Sequence, residues 1–207
     1  MKHAHKSLYF AVFGIILAGY RTVVSGCTVN YTLPELGRVN RPRLPRITAE
    51  YLSSVGRVLY PRITHMVRRY TTRIPPPTDD LSSTVTEVHF PEQGGLNAEG
   101  LSEIYHSMRM FYGILHNMEV IEHDLHYALY TSNNFKPPLR VLKRMMLTPI
   151  NLLQVTLFHH DDIEDSMSTV SVNTVCNYRN VYNFVRKSIR DLETMENFFM
   201  QMALLQV

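Results

Sequence analysis

The chain has 207 residues, of which 21 are Lys or Arg and 18 are Asp or Glu, and this length allows one domain with a hydrophobic core of its own. Lys2, Lys6 and Arg21 lie in a predicted secretion signal, whose removal leaves 18 basic and 18 acidic side chains. A formally neutral chain gives no support for binding nucleic acid or anionic membranes by bulk charge.

The first 26 residues have the features of a secretory signal peptide. Lys2 and Lys6 precede an apolar run of 13 residues at 8–20, and small residues follow up to Gly26. A membrane-spanning helix needs roughly 20 apolar residues, so this run is too short to remain as an anchor. We therefore expect cleavage after Gly26 and a secreted, extracellular domain of residues 27–207 that does not insert into membranes.

Cys27 and Cys176 allow one intramolecular bridge. Because secreted cysteines form disulfides in an oxidising compartment, we predict that these two pair and tie the N-terminus to the approach of the last helix. The alternative is a pair of free or intermolecular thiols.

Asn30-Tyr31-Thr32 is a glycosylation sequon in a polar stretch after the signal, and we predict a glycan on Asn30.

Residues 27–46 contain three prolines and no periodicity, which predicts an irregular arm. Apolar residues at helical spacing then predict a helix over about 48–73, with Thr48 as its cap. Pro61 should bend or interrupt this helix. A long connection rich in Pro, Ser, Thr and Gly follows and reaches Asn97.

A second helix is predicted over about 98–130, capped by Asn97, with one buried stripe in which Glu122 is the exception. A short link leads to a third helix over about 138–159, where Pro149 should cause a kink or a division. After a second irregular connection, the fourth helix over about 174–205 has the most regular period in the chain.

The lengths of the connections select a topology. A short link places the second and third helices antiparallel, whereas each long connection lets the helices that it joins lie parallel. The order long, short, long predicts an all-α, long-chain four-helix bundle with up-up-down-down topology, the arrangement of helical cytokines.

Two segments resemble the interleukin-6 family of cytokines. The second helix, in AEGLSEIYHSMRMFYGIL at 98–115, is similar to the second helix of ciliary neurotrophic factor, and Ser188-Ile189-Arg190-Asp191-Leu192 is similar to part of its last helix. Both segments occur in the right order, so the chain resembles the branch that contains that factor and leukaemia inhibitory factor.

This resemblance implies a ligand that assembles class I cytokine receptors, of the glycoprotein 130 and leukaemia inhibitory factor receptor type, and starts JAK and STAT signalling in an immune or growth response. In that branch a Phe-x-x-Lys motif near the start of the last helix engages a receptor, and this chain has Phe184 and Lys187 at that spacing. An exposed aromatic beside a cation can fill a receptor pocket. Alternatively, Phe184 borders the core.

Arg179, Arg186 and Arg190 are separated by seven and four residues and fall roughly on one face of the fourth helix, with Lys187 beside them. They are candidate receptor-binding residues, although such a run can also be a solvated face. Arginines on the first helix admit the same interpretation: Arg57, Arg62, Arg68 and Arg69.

Catalytic and metal-binding patterns are not found in the sequence. There is no nucleophile elbow, phosphate loop or CxxC pair, and Glu103 to His106 supplies a single Glu-x-x-His, of which a di-iron bundle needs two. We therefore expect neither an enzyme nor a cofactor or metal, but a monomeric receptor ligand.

Three alternatives to this reading remain open. The chain could be an interferon-like or interleukin-10-like factor, a secreted helical carrier of an apolar ligand, or a bacterial lipoprotein lipidated at Cys27.

Overall fold

The computed structural model describes residues 26–32, 47–73, 88, 90–91, 96–128, 134–157, 169–175 and 181–205. In chain order the elements are β1 (Gly26–Thr32), α1 (Ala49–Thr71), α2 (Ala98–Ala128), α3 (Lys136–Leu157), β2 (Thr169–Val175) and α4 (Val181–Ala203). The four helices form the body of the described chain, which confirms the predicted four-helix class.

Side-chain oxygens accept backbone N–H groups at the starts of three helices. The Oγ1 atom of Thr48 accepts a hydrogen bond from the backbone N–H of Tyr51 at 3.1 Å, and Oδ1 of Asn97 accepts one from Gly100 at 2.9 Å. Both predicted caps are therefore confirmed. Before α3, Oδ1 of Asn134 accepts the N–H of Lys136 at 2.9 Å, an Asx turn one residue before the cap position at Phe135.

Neither internal proline ends a helix. α1 continues through Pro61, and α3 continues through Pro149. α1 is therefore not interrupted at Pro61 and α3 is not divided at Pro149, and the other form of these predictions, a bend or kink, stays a prediction. Pro61 removes the hydrogen bond to the carbonyl of Arg57, but both residues lie on the exposed face of α1, where water can satisfy that carbonyl.

β1 and β2 form an antiparallel pair in which Gly26 lies opposite Val175 and Thr32 lies opposite Thr169. Both strands fall in stretches that were predicted to be irregular, and that prediction is wrong. β2 also includes residues 174–175 of the predicted fourth helix, and α4 begins only at Val181. Five of the seven residues of β2 are Val or Thr, which favour strands, but two short distant segments become strands only when they pair.

β2 packs against α2 and, less extensively, against α4. α2 also contains five consecutive buried residues, 111–115. Five residues of a helix point in all directions, so the centre of α2 is covered all round. The prediction of a single buried stripe is wrong for this part of the helix.

The helices associate mainly in two pairs, α1 with α4 and α2 with α3. Near the start of α1, the hydroxyl of Ser53 donates a hydrogen bond to the carbonyl of Ala203 at the end of α4, at 3.0 Å. Farther along α1, the hydroxyl of Thr64 donates to Glu196 at 2.6 Å. The second half of α2 lies beside the first half of α3, where Glu119 pairs with Arg140.

Aromatic side chains fill the core between the helices. The ring of Phe198 contacts the rings of Phe111, Phe199 and Phe90, with centroids 5.2, 5.3 and 5.2 Å apart and near-perpendicular planes. Edge-to-face contacts of this kind stabilise a core beyond the burial of area alone.

Candidate functional site

Contacts around Arg73 bring segments of three helices together at one end of the molecule. Its guanidinium lies 3.8 Å from the ring centroid of Phe135, which directly precedes α3, and it donates a hydrogen bond at 3.0 Å to Glu122 in the second half of α2. The first half of α4 lies toward the same end, because the pairs Ser53–Ala203 and Thr64–Glu196 run in opposite senses along α1 and α4.

We divide the helices into two halves on this basis. The cationic half consists of the segments 61–73, 113–128, 136–146 and 181–191. The acidic half consists of the segments 49–60, 98–112, 147–157 and 192–203.

Charge is strongly segregated between these halves. The cationic half carries 11 Lys and Arg against four Asp and Glu, whereas the acidic half carries two Arg against five Glu. Its cations come from three helices and the turn after α1: Arg62, Arg68, Arg69, Arg73, Lys136, Arg140, Lys143, Arg144, Arg186, Lys187 and Arg190.

Glu122 is fully buried and holds this end together. Its carboxylate accepts hydrogen bonds from the hydroxyl of Tyr70 at 2.9 Å, from Arg73 at 2.5 and 3.0 Å, and from the backbone N–H of Phe135 at 3.0 Å. Burial, and then the charge of Glu122, raises the pKa of Tyr70 well above its usual value. The polar interruption of the α2 stripe is thus a junction that joins α1, α2 and the start of α3.

Glu119, one turn earlier on α2, forms a second junction to α3. It pairs with Lys143 at 2.6 Å and with Arg140 at 2.9 Å. Burial would raise the pKa of Glu119, but the hydrogen bonds from these two cations outweigh it, and the pKa is lowered. Burial, followed by the charge of Lys143, lowers the pKa of His116, whose Nδ1 lies 2.8 Å from Nζ of Lys143.

A third junction lies within α4. Nζ of Lys187 is 2.8 Å from both carboxylate oxygens of Asp191, four residues later. Burial raises the pKa of Asp191, and the charge of Lys187 opposes this shift. Three of the four acidic groups in the cationic half are therefore buried and engaged internally, so the surface of this half is dominated by positive charge.

The structure contradicts the exposed position that the Phe-x-x-Lys hypothesis requires. Phe184 is only 3% exposed and belongs to the core, as the alternative interpretation held. Lys187 is held by Asp191 along the helix and projects no free cation beside an aromatic ring. The sequence matches the Phe-x-x-Lys motif, but the rotation of α4 about its axis places Phe184 in the core.

Arg186 and Arg190 lie in the described part of α4 and are partly exposed, so they stay candidates for receptor contact. Arg179 lies outside the described residues. Sequence reasoning missed the cations of α3, although the segment 136–157 contains no Asp or Glu. That compositional feature could have indicated a basic surface.

The two predicted modification sites lie at the strand pair. Asn30 is in β1, opposite Ser171 of β2. Cys27 lies opposite Thr174, and Cys176 falls outside the described residues, immediately after the end of β2. The register pairs β1, which contains Cys27, with the strand that ends one residue before Cys176, and the disulfide itself stays a prediction.

Within the described ranges, no group of three or more His, Cys, Asp and Glu side chains is arranged to hold a metal ion. No helix among the same residues has the length and apolar character that crossing a membrane requires.

Comparisons of the chain with protein-family models, with curated proteins and with solved structures found no match. The described geometry at this end is a set of exposed cations around buried ion pairs.

Proposed function

We propose that the chain is a secreted cytokine that binds and assembles class I receptors, of the glycoprotein 130 and leukaemia inhibitory factor receptor type, and so starts JAK–STAT signalling. In this proposal it is a monomeric ligand without catalytic activity. The two segments that resemble the interleukin-6 family, and the predicted signal peptide, support it.

The helix contacts support the long-chain, up-up-down-down topology that this proposal includes. Ser53 near the start of α1 meets Ala203 at the end of α4, which fits opposite directions for these helices. Tyr70 near the end of α1 meets Glu122 late in α2, which fits parallel directions. Glu119 meets Arg140 early in α3, which fits α3 running back along α2.

The observation that carries the proposal is the filled interior. Phe111, Phe198 and Phe199 are each 2% exposed or less, and their rings pack against one another between α2 and α4. A carrier of an apolar ligand needs a cavity at such a place. A solid core leaves the outer surfaces of the helices for binding, which is how helical cytokines act.

Arg186 and Arg190 are the receptor contacts that we propose to test. Replacing both by Ala should weaken capture of receptor ectodomains, because arginines are frequent hot spots and each is worth about 2 kcal/mol at the centre of an interface. Capture on immobilised ectodomains and STAT phosphorylation in responsive cells measure the effect. Arg144→Ala, an exposed arginine of α3 that is not among the candidate receptor contacts, is the control.

If wild type engages no class I receptor, the proposal of a class I cytokine is wrong. If the double variant signals like wild type, the assignment of Arg186 and Arg190 as receptor contacts is wrong. Phe184→Ala is a poor probe of binding, because loss of a buried Phe costs about 3–5 kcal/mol of stability.

The intact mass before and after reduction tests the bridge between Cys27 and Cys176, since reduction of one disulfide adds two hydrogens.

A further inference from the structure

Several arginines of the cationic half are exposed and have no internal role. Arg62 and Arg68 on α1, and Arg144 on α3, are exposed, and no ion pair among the described residues involves them. Their charges are therefore directed to solvent. This contrasts with Arg73, Lys143 and Lys187, whose partners are buried carboxylates.

The exposed cations form an extended set rather than one point. Arg62 and Arg68 are six residues apart, about 9 Å along the axis of α1 and about 120° apart around it, and Arg144 lies on α3. Arg69 joins the two helices, since its guanidinium lies 4.5 Å from the ring centroid of Phe135 at the start of α3. A guanidinium presents paired N–H donors that match two oxygens of a sulfate or phosphate group.

We propose that the cationic half binds a sulfated polysaccharide of the cell surface or extracellular matrix. This inference rests on the secretion that the proposed function includes, and it adds a partner other than the receptors. A flexible polyanion needs cations distributed along its path, and the cationic half supplies them from α1, α3 and α4.

The character of the exposed surface favours a polysaccharide over other anionic partners. The large hydrophobic side chains exposed among the described residues include no aromatic one: Val58, Val120, Val141, Met200 and Leu204. Protein interfaces use buried aromatic anchors, and single-stranded nucleic acids stack their bases on aromatic rings. Binding that depends on arginine and sulfate needs neither.

The segregation of charge also orients the protein on the polysaccharide. A negative polymer attracts the cationic half and repels the five Glu of the acidic half. The starts of α1 and α2 and the ends of α3 and α4 therefore face away from the polysaccharide.

Retention of the purified chain on immobilised heparin, eluted with a gradient of NaCl, tests the proposal. The variant Arg62→Gln/Arg68→Gln/Arg144→Gln should bind heparin at least about tenfold more weakly at 0.15 M salt, and the slope of log affinity against log salt should fall by about one per lost contact. These side chains are exposed, so the variant should keep its helix content.

Two controls separate location from total charge. Arg57→Gln removes an exposed arginine from α1 eleven residues before Arg68, and so on nearly the same side of the helix, but in the acidic half. It should elute like wild type, whereas Arg68→Gln elutes earlier. The variant Arg57→Gln/Ser54→Glu/Gln201→Glu has the same net charge as the triple variant and should retain most of the affinity.

Competition assays identify the class of ligand. Sulfated heparin should displace the chain, and chemically desulfated heparin should not. Equal elution of the triple variant and its charge-matched control would overturn the proposal, and so would a double-stranded DNA that competes as well as heparin. Secretion is measured separately from the culture medium, so failure of the proposed cytokine function is not confused with failure of polysaccharide binding.

Discussion

The two halves of the helix assembly are held together by different forces. In the cationic half, buried carboxylates at Glu122 and Glu119 join three helices through ion pairs and hydrogen bonds. In the acidic half, helices meet through aromatic rings and through a close approach of Gly56 to the backbone of α4. Polar junctions are specific in geometry but costly when one partner is missing, whereas apolar contacts are limited mainly by shape.

This difference accounts for the distribution of charge. A half that contains many cations can remain compact only if some of them are neutralised, and the buried carboxylates of α2 and α4 do this. The cations that remain exposed are then available to a partner. The acidic half has five Glu and two Arg, and its helices are joined by apolar contacts together with the hydrogen bond from Ser53 to the carbonyl of Ala203.

The largest expected effect comes from breaking the Glu122 junction. Glu122→Gln removes the carboxylate that pairs with the guanidinium of Arg73, whose side chain is 2% exposed, and that also accepts the backbone N–H of Phe135. Removing one partner of a buried ion pair costs about 3–5 kcal/mol. Urea unfolding followed by circular dichroism measures this loss.

Glu103→Gln is the matched control for that experiment, since Glu103 is an exposed residue of the same helix in the acidic half. Its effect should stay within about 0.5 kcal/mol. A loss below about 1 kcal/mol for Glu122→Gln would contradict the role assigned to this carboxylate.

A smaller effect is expected at the close contact of the acidic half. A Cβ atom on Gly56 would lie 2.8 Å from Cα of Ala203, and backbone atoms cannot rotate away. Overpacking of about 3 kcal/mol then exceeds the gain of about 1 kcal/mol in helix propensity, so Gly56→Ala should lose about 2 kcal/mol. Ser54→Ala, at an exposed site on the same helix, should change the unfolding free energy by less than about 0.5 kcal/mol. A stabilised Gly56→Ala variant would show that α1 and α4 do not approach this closely.

The smallest effect distinguishes the halves by their response to acid. The pKa of Glu119 is lowered by Lys143 and Arg140 against the effect of burial, so its contribution to stability is present above its unfolded pKa and is lost as pH falls through its folded pKa. Burial, and then the charge of Glu196, raises the pKa of Glu193, so the cost of ionising it is relieved as pH falls.

Unfolding free energies between pH 6 and pH 3 measure these two contributions. Glu119→Gln should flatten the loss of stability in acid, and Glu193→Gln should steepen it. Parallel pH profiles for the two variants would show that these carboxylates do not differ in the way that their surroundings indicate.

Local rules predicted much of the helical structure. The caps at Thr48 and Asn97 and the four apolar periods follow from interactions within a few residues, and these predictions are confirmed. α1 is not interrupted at Pro61, because the missing hydrogen bond falls on an exposed face. The strand pair was missed because residues 26–32 and 169–175 are far apart in the chain and acquire their ladder only from each other.

Side-chain roles were predicted less well than helices. Phe184 and Lys187 have the spacing of a receptor-binding motif. The burial of Phe184 and the pairing of Lys187 with Asp191, however, depend on how α4 is rotated against its neighbours. Glu122 stood out in sequence as an exception to an apolar stripe, and an exception of that kind is the best available indication of a buried ion pair.

From the sequence alone come the number of helices, the capped starts at Thr48 and Asn97 and the inventory of charges, because helix period, capping and composition are local properties. Tertiary structure decided which carboxylates are buried, which aromatic side chain is hidden and which end of the molecule is positive. Those outcomes depend on contacts between residues such as Arg73 and Glu122, which are 49 positions apart, and no local pattern specifies them.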